Sequence, residues 1–395
     1  MEKNILIIGN GFDLYHRLPT SYTNFMDFVK KWPEYYRKYY TSKKMKNMKR
    51  QLSKGPFEIP LDNNGNIINA TMEGFASRGY IYDEKAIHYL YENVPINNWI
   101  KWFQKRNYRN ARWVDFEYEI EEALWRVNEY FEKDVRKRSY RPMSEFVGKD
   151  TREILALFNE KGLFTNLDDI YFLESELDSE KINEEKNIFL NYMKMQMDIL
   201  NQCLYYYFAE FVSRVKCPVY SRQIKELQNV YLLSFNYTFT YQNVYGESKL
   251  KKYHSVHGNI KDNNLVLGIS DDGCDDLDYI YFQKYFQRIQ KRTGSDYRKW
   301  FSEGEKREEL IFAHIMGHSL DQTDKSVFKD IFMAEYIRKI YIYYHNQNAY
   351  ESQVINLIGM FGKDFVIEQV ANERIVFLQL EEPVSYENLE STISR

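Results

Sequence analysis

The sequence predicts an α/β fold: an open parallel sheet carrying a large, mainly helical insertion. Three observations predict it. Asn4-Ile5-Leu6-Ile7-Ile8 is a short β-branched run with no charge inside it, the pattern of a strand buried on both faces. It breaks into Gly9-Asn10-Gly11-Phe12-Asp13, then Leu18-Pro19-Thr20-Ser21-Tyr22, then a helix through Phe25, Phe28 and Val29. From about residue 215 onward, compact strands again alternate with helices, and Gly follows several strands. Between these parts, residues 31–214 read as helices with no Gly/Ser/Pro-rich linker. The predicted organisation is therefore a discontinuous sheet domain, residues 1–30 and 215–395, holding a helical insertion, residues 31–214.

The opening turn has the chemistry of a nucleotide loop. Gly9 and Gly11 permit a tight turn and close approach of a ligand, and backbone N–H groups in such a turn favour a phosphate. Leu14 stands where G-x-G-x-x-G needs its third glycine, so the ordinary dehydrogenase reading fails. A glycine turn that only folds the chain fits the same residues.

Within the insertion, Lys30 to Lys54 is dense in Lys, Arg and Tyr. It reads either as a surface for an acidic or RNA partner or as a solvated helical face. Asp62-Asn63-Asn64-Gly65-Asn66 is a turn signal. A helix begins near Arg112, with Phe116, Ile120, Ala123, Leu124, Val127 and Phe131 on one side. There Asp115 reads as the N-cap and Glu117 as a first-turn carboxylate. In the alternative, Asp115, Glu117 and Glu121 line a cleft as acid or base groups; periodicity favours the cap and solvent roles. Helices follow over 151–159 and about 186–214, the latter with a stripe from Phe189 to Phe211 whose Met193 and Met197 are core filler.

Val230 to Ser234 is the next strand. Tyr253 to Gly258 is another, ending in a His-Gly corner, and Leu265 to Ile269 continues the β pattern. A Tyr/Phe-rich helix is predicted over 279–292, and a strand over Leu310–Met316. Lys339–Tyr344 and Arg374–Leu380 supply the last strands, around a helix from about Ser352 to Phe361 stopped by Gly362.

Composition narrows the function classes. A 44% hydrophobic share is ample for a core, and the 35 Tyr and 26 Phe supply packing area with hydroxyls at partly wet positions. A net charge of −3 gives no electrostatic case for nucleic acid. No secretory leader pattern opens the sequence, and no apolar run reaches the length of a membrane span. Cys203, Cys217 and Cys274 form no C-x-x-C pair. The expectation is a cytoplasmic protein with no membrane contact and no structural metal.

Four polar clusters directly follow predicted strands: Gly9 to Asp13, Ser234 to Thr240, His257-Gly258, and Gly317 to Asp321. If the strands are parallel, all four fall on one edge of the sheet. Asn236 brings an amide suited to a water or ribose hydroxyl, and His257 is a candidate general base. Ser319 and the amides around Gly317 suit a phosphate or ribose. Together these groups fit cleavage of an N-glycosidic bond. A turn-capping His257 and an Asx-turn at Asn236 fit the same spacing.

The run Ile7-Ile8-Gly9-Asn10-Gly11-Phe12-Asp13-Leu14 with Leu18-Pro19-Thr20-Ser21-Tyr22 and Phe25 resembles the opening of the AbiH family of phage abortive-infection proteins. The resemblance continues through Trp113 to Glu117, Ser234 to Thr238, His257-Gly258 and Gly317 to Leu320. The same blocks, in the same order, more distantly resemble the sirtuin-like, Rossmann-like NAD-binding fold. That resemblance implies that Asn236 positions the nicotinamide ribose or attacking water and that His257 is the base. Gly9, Gly11, Gly317 and Ser319 would hold the dinucleotide, together with Asn10, Phe12, Asp13, Pro19, Thr20, Thr238, Gly258, His318 and Asp321. NAD is then a substrate. Thr238 replaces the sirtuin Asp that reads the nicotinamide amide, and the four zinc cysteines are missing, so protein deacylation is not expected. The implied function is NAD depletion in infected cells, released by a phage-derived trigger or regulatory partner, with self-association through the long apolar helix or Tyr-rich surfaces.

Two other classes fit parts of the sequence. A metal-dependent nuclease would use His254 and His257, or His314 and His318, with Asp271-Asp272 or Asp275-Asp276, although neither pair matches H-E-x-x-H, since Ile315 stands where the Glu would be. A non-catalytic nucleotide sensor would bind without turnover.

Overall fold

The computed structural model describes residues 2–40, 83–106, 113–132, 147–159, 179–270, 277–302 and 310–386. Eight strands are present among them: β1 (Glu2–Ile8), β2 (Val219–Tyr220), β3 (Val230–Ser234), β4 (Leu250–Ser255), β5 (Leu310–Met316), β6 (Ile337–Tyr344), β7 (Ile375–Gln379) and β8 (Val384–Ser385). Six form one sheet in the order β4-β3-β1-β5-β6-β7, every pairing parallel. β2 and β8 make a separate antiparallel pair.

The order is that of doubly wound dinucleotide-binding sheets. From the central β1 the chain builds outward to β3 and β4, then returns to fill the other side with β5, β6 and β7. The direction of winding switches between β1 and β5, and in open α/β sheets ligands bind outside the carboxyl ends at that point. Register makes the edge level. Ile8 pairs with both Ser234 and Met316, and Ser234 pairs with Ser255. Gly9, Phe235, Val256 and Gly317 therefore leave the sheet side by side, as the parallel-strand reading requires.

β1 is central and buried along nearly its whole length, which is why its sequence is a continuous apolar run and not an alternating one. Its side chains serve two layers. Ile5 and Ile7 pack with Val327, Phe328, Ile331 and Leu357 on one face. Leu6 and Ile8 pack with Phe12, Ile224 and Tyr241 on the other. A third and larger cluster is helical. It joins Tyr22, Phe25, Phe28 and Trp32 to Trp99, Phe103, Phe116, Ile120, Met193 and Met197, and it also takes Leu265, Leu267 and Ile269 from the sheet-bearing half.

Local sequence explains how the helices start. Ser21 accepts the Asn24 amide at 3.1 Å while Asn24 Oδ1 accepts the Ser21 amide at 3.0 Å, a reciprocal cap that begins helix Tyr22–Tyr40. Asn97 caps helix Asn98–Lys105 by accepting from Ile100 N at 2.9 Å. Its Nδ2 donates to Gln196 O at 2.7 Å, and Gln196 Oε1 accepts from Asn98 N at 2.9 Å. The buried start of that helix is thus satisfied by the long helix Ser179–Tyr206.

Several sequence expectations are corrected. Asp115 lies inside helix Trp113–Glu132 and not ahead of it as a cap. The helix expected through Arg214 is α-helical only to Tyr206. It widens into a π turn over Tyr207–Phe211 and ends in a 3₁₀ turn, Val212–Arg214. In the π turn the Tyr207 hydroxyl reaches Pro19 O at 2.7 Å. Leu265 to Ile269 is not a sheet strand. A side-chain amide replaces a neighbouring strand: Gln287 Oε1 accepts from Leu267 N at 3.1 Å and its Nε2 donates to Leu267 O at 2.7 Å. The helix expected over 279–292 is a 3₁₀ turn, Leu277–Phe282, then a separate helix, Lys284–Gln290, divided at the extended residue Gln283. The helix expected from Ser352 begins earlier, at Gln347, and ends at Gly362 as expected, with φ +86°. The turn at Asp62 to Asn66, the charged run beyond Tyr40, and Asp271 to Asp276 lie outside the described residues.

Two glycines with the same φ separate backbone strain from crowding. Gly246 has φ +72° and open space where a Cβ would stand, whereas at Gly317, φ +71°, a Cβ would lie 2.0 Å from Phe12 N. Gly246→Ala is expected to cost about 1–3 kcal/mol of stability, the range for such backbone. Gly317→Ala is expected to cost distinctly more. Urea denaturation midpoints of the two variants check this ranking.

Candidate active site

The loops after β1 and β5 close on each other. Gly11 N–H donates to Gly317 O at 2.7 Å, Gly9 N–H to Met316 O at 3.2 Å, and Phe12 N–H to Gly9 O at 2.9 Å. A Cβ on Gly11 would lie 2.8 Å from Gly317 Cα. These glycines therefore serve loop-on-loop packing, and the Gly11 and Phe12 amides are already used. Asn10 opens helix Asn10–Tyr15, and Phe12 is buried 4.4 Å from the His16 ring. Gly258, φ +75°, has the same constraint, since a Cβ there would meet Asn264 O at 2.0 Å.

A polar group centres on Asp13. Asn236 Nδ2 donates to Gly9 O at 2.9 Å, which ties the β3 loop to the β1 loop. Two residues on, Thr238 Oγ1 donates to Asp13 Oδ2 at 2.6 Å and lies 3.0 Å from Thr240 Oγ1. Among the described residues, Asp13 Oδ1 is buried without a hydrogen-bond partner. Burial pushes the Asp13 carboxyl up to about 6, partly offset by its hydroxyl neighbours. Thr20 is buried in the turn that leads to helix Tyr22–Tyr40, beside Pro19.

A second group lies on the other side of the β3 loop. His257 Nε2 is 2.8 Å from Asp324 Oδ1, and both side chains are buried. Asp324 Oδ2 lies 3.4 Å from His318 Nε2. His318 Nδ1 accepts from Leu320 N at 3.0 Å, so the His318 ring hydrogen sits on Nε2, toward the carboxylate. Lys284 Nζ completes the group. It lies 2.8 Å from each Glu117 oxygen, 3.2 Å from Thr323 Oγ1 and 3.2 Å from Asp324 Oδ1. Phe235 packs against this second group, with its ring 5.2 Å from His257, 4.5 Å from His318 and stacked on Phe328.

The charges are mutually determined. Burial alone raises the Asp324 carboxyl, but Lys284 and His257 outweigh it and hold Asp324 well below the usual carboxylate range. Burial raises the Glu117 carboxyl, while the Lys284 ammonium, 2.8 Å from both of its oxygens, holds it toward the ionised form. The imidazole of His257 is lowered by burial, with Asp324 opposing. An uncharged His257 then donates Nε2–H to Asp324 and keeps a lone pair on Nδ1, which has no hydrogen bond among the described residues.

The sequence-predicted residues thus separate into two groups joined by the β3 loop: Asn236, Thr238, Gly9 and Asp13 on one side, His257 and His318 on the other. Asp321 caps the 3₁₀ turn Gln322–Asp324 by accepting from Thr323 N at 3.1 Å, so it positions Asp324. Ser319 is half-buried, and its carbonyl accepts from Asn356 Nδ2 at 2.9 Å. Glu117 corrects a sequence expectation, because its carboxylate turns inward onto Lys284 and not to solvent. Asp324 and Lys284 were not anticipated. Asp324 had a faint signal, a second Asp three residues after Asp321 in a Gly-led loop, while Lys284 had none. One histidine pair of the nuclease reading is divided: His314 lies between Asn4 Oδ1 and Tyr343 OH, each 3.1 Å away, on the face of the sheet opposite Phe235, against which His318 packs. Among the described residues, no three His, Cys, Asp or Glu side chains are grouped to hold a metal, and no helix is long and apolar enough to cross a membrane.

A family model described as bacteriophage abortive infection AbiH matches residues 5–345. The matched region spans every residue of both polar groups. No curated protein and no solved structure matches the chain.

The unpartnered Asp13 oxygen generates a prediction. With the folded-state value near 6 against an ordinary 3.8, the folded chain is destabilised progressively as pH rises between those values, by about 3 kcal/mol in all. Asp13→Asn removes that penalty while Thr238 keeps an acceptor. Its stability advantage over the wild type is expected to be small at pH 4 and largest above pH 6, as read by chemical denaturation across pH.

Proposed function

This chain belongs to the AbiH family of bacteriophage abortive infection proteins, and from that premise we propose that it acts in phage defence by cleaving the nicotinamide N-glycosidic bond of NAD. The observation that carries the reading is the buried His257–Asp324 pair, set at the carboxyl edge of a sheet whose strand order is that of dinucleotide-binding folds. The carboxylate orients the ring and keeps the hydrogen on Nε2, so Nδ1 is the basic atom.

In this proposal His257 Nδ1 takes a proton from a water molecule as its oxygen bonds to the anomeric carbon of the nicotinamide ribose. The C–N bond breaks, its electron pair stays with the pyridine ring, and nicotinamide leaves uncharged. The proton on His257 passes to solvent, and ADP-ribose is the second product. Asn236 donates its Nδ2 hydrogen to Gly9 O, which leaves Oδ1 to accept from the water or from a ribose hydroxyl. Because such an enzyme would harm its own cell before infection, a phage-derived trigger or regulatory partner is part of the proposal.

Purified protein incubated with NAD, with and without extract from phage-infected cells, is expected to release nicotinamide. His257→Ala is expected to lower the rate by about 10²–10⁴-fold, the usual contribution of a general base, and Asn236→Ala to lower it with the fold intact. NAD levels that stay constant while the wild-type protein arrests infected cells would overturn the reading.

The pH profile follows from the same geometry. The base acts unprotonated and burial lowers its affinity for a proton, so the rate is expected to rise from acid pH to a plateau whose midpoint lies below the ordinary imidazole value of 6.5. A midpoint above that value would argue against His257 as the base.

A further inference from the structure

We infer that Lys284 and Glu117 form a positioning pair through which the helical region sets the charge and orientation of the His257–Asp324 dyad. The inference rests on the reading of His257 as the base, but it concerns residues that the proposed chemistry does not touch.

The placement of Lys284 is unfavourable on two independent counts. Its side chain is 1% exposed, and burying an ammonium is expensive unless it is fully paired. It is also the first residue of helix Lys284–Gln290, the end at which the helix dipole disfavours a cation. Neither helix formation nor packing explains a lysine there. What offsets both costs is its set of acceptors: Glu117, Thr323 Oγ1 and Asp324 Oδ1. An ammonium has three hydrogens, and all three are committed. Lys284 therefore has nothing left for a ligand and acts through its neighbours.

One oxygen carries the coupling. Asp324 Oδ1 is held by both Lys284 Nζ, at 3.2 Å, and His257 Nε2, at 2.8 Å. Lys284 Nζ and His257 Nε2 thus lie within about 6 Å of each other, close enough for the ammonium charge to shift the proton affinity of the imidazole. Glu117 sits behind the ammonium and opposes it. It belongs to helix Trp113–Glu132, which is anchored in the helical cluster by Phe116 and Ile120. A displacement of that helix would withdraw Glu117 from Lys284 and expose Asp324 and His257 to the uncompensated ammonium. The other groups facing His257 are Arg288, from the same helix as Lys284, and His318, across Asp324.

The test titrates His257 directly by two-bond ¹H–¹⁵N correlation spectra of ¹⁵N-histidine-labelled protein, with His257→Gln assigning the signal. Two variants are compared with the wild type: Glu117→Gln, and Lys284→Met/Glu117→Gln, in which no unpaired carboxylate is left where Glu117 stood. Glu117→Gln is expected to move the His257 midpoint downward. The double variant is expected to move it upward, by about one pH unit, because a charge at that distance typically shifts a partner by one unit or more. A residue pair with a merely structural role would loosen the site in both variants and move both midpoints upward. Shifts in the same direction, or none in either variant, would overturn the inference. The titration needs no turnover, so a blank in the nicotinamide assay and an unmoved midpoint report on different claims.

Discussion

The close approach of Gly11 to Gly317 is the constraint on which the rest of the edge depends. At 2.7 Å from amide nitrogen to carbonyl oxygen, with no space for a Cβ on either residue, the loops after β1 and β5 behave as one unit. Two consequences follow. Asn236 docks on Gly9 O, so the β3 loop is referenced to this unit. The segment from His318 to Asp324 also leaves Gly317 in a fixed direction, and that direction carries Asp324 to His257.

The electrostatic arrangement is costly. Breaking a buried ion pair by removing one partner typically costs about 3–5 kcal/mol, while replacing the whole set by apolar side chains is often neutral or favourable. A cluster of Glu117, Lys284, Asp324, His257 and His318 is therefore poor value as a stabilising device, in a chain whose apolar clusters already supply a large core. Buried titratable groups held away from their ordinary behaviour concentrate at functional sites. That argument, joined to the dyad's position at the carboxyl edge, is stronger than the glycine pattern that first drew attention to the chain, because packing accounts for the glycines.

The helical region and the sheet are joined through this cluster as well as through packing. Tyr237 shows the same join: its hydroxyl reaches Val266 O at 2.8 Å, and its ring borders the helical cluster. The loop after β3 thus touches both polar groups and the helices, and a change in helix packing has a direct physical route to the dyad.

Much of the fold was legible in the sequence because its signals are local. A strand buried on both faces must be a continuous apolar run, which identified β1, β3 and β5 almost to the residue. Glycines directly after strands marked the loops, and Gly362 with its positive φ marked a helix end. Where local pattern misled, a distant partner had replaced the expected one: Gln287 stands in for a strand beside Leu267, and Glu117 finds Lys284 in place of water. The sequence by itself determined the sheet, its edge and His257 as a residue at that edge. Only the tertiary structure decided that His257 meets Asp324, 67 residues away, and that Glu117 meets Lys284, 167 residues away. Pairings of that kind leave no periodic trace, since a buried charge is tolerated only where the folded chain brings its counter-charge, and that position is a property of the fold.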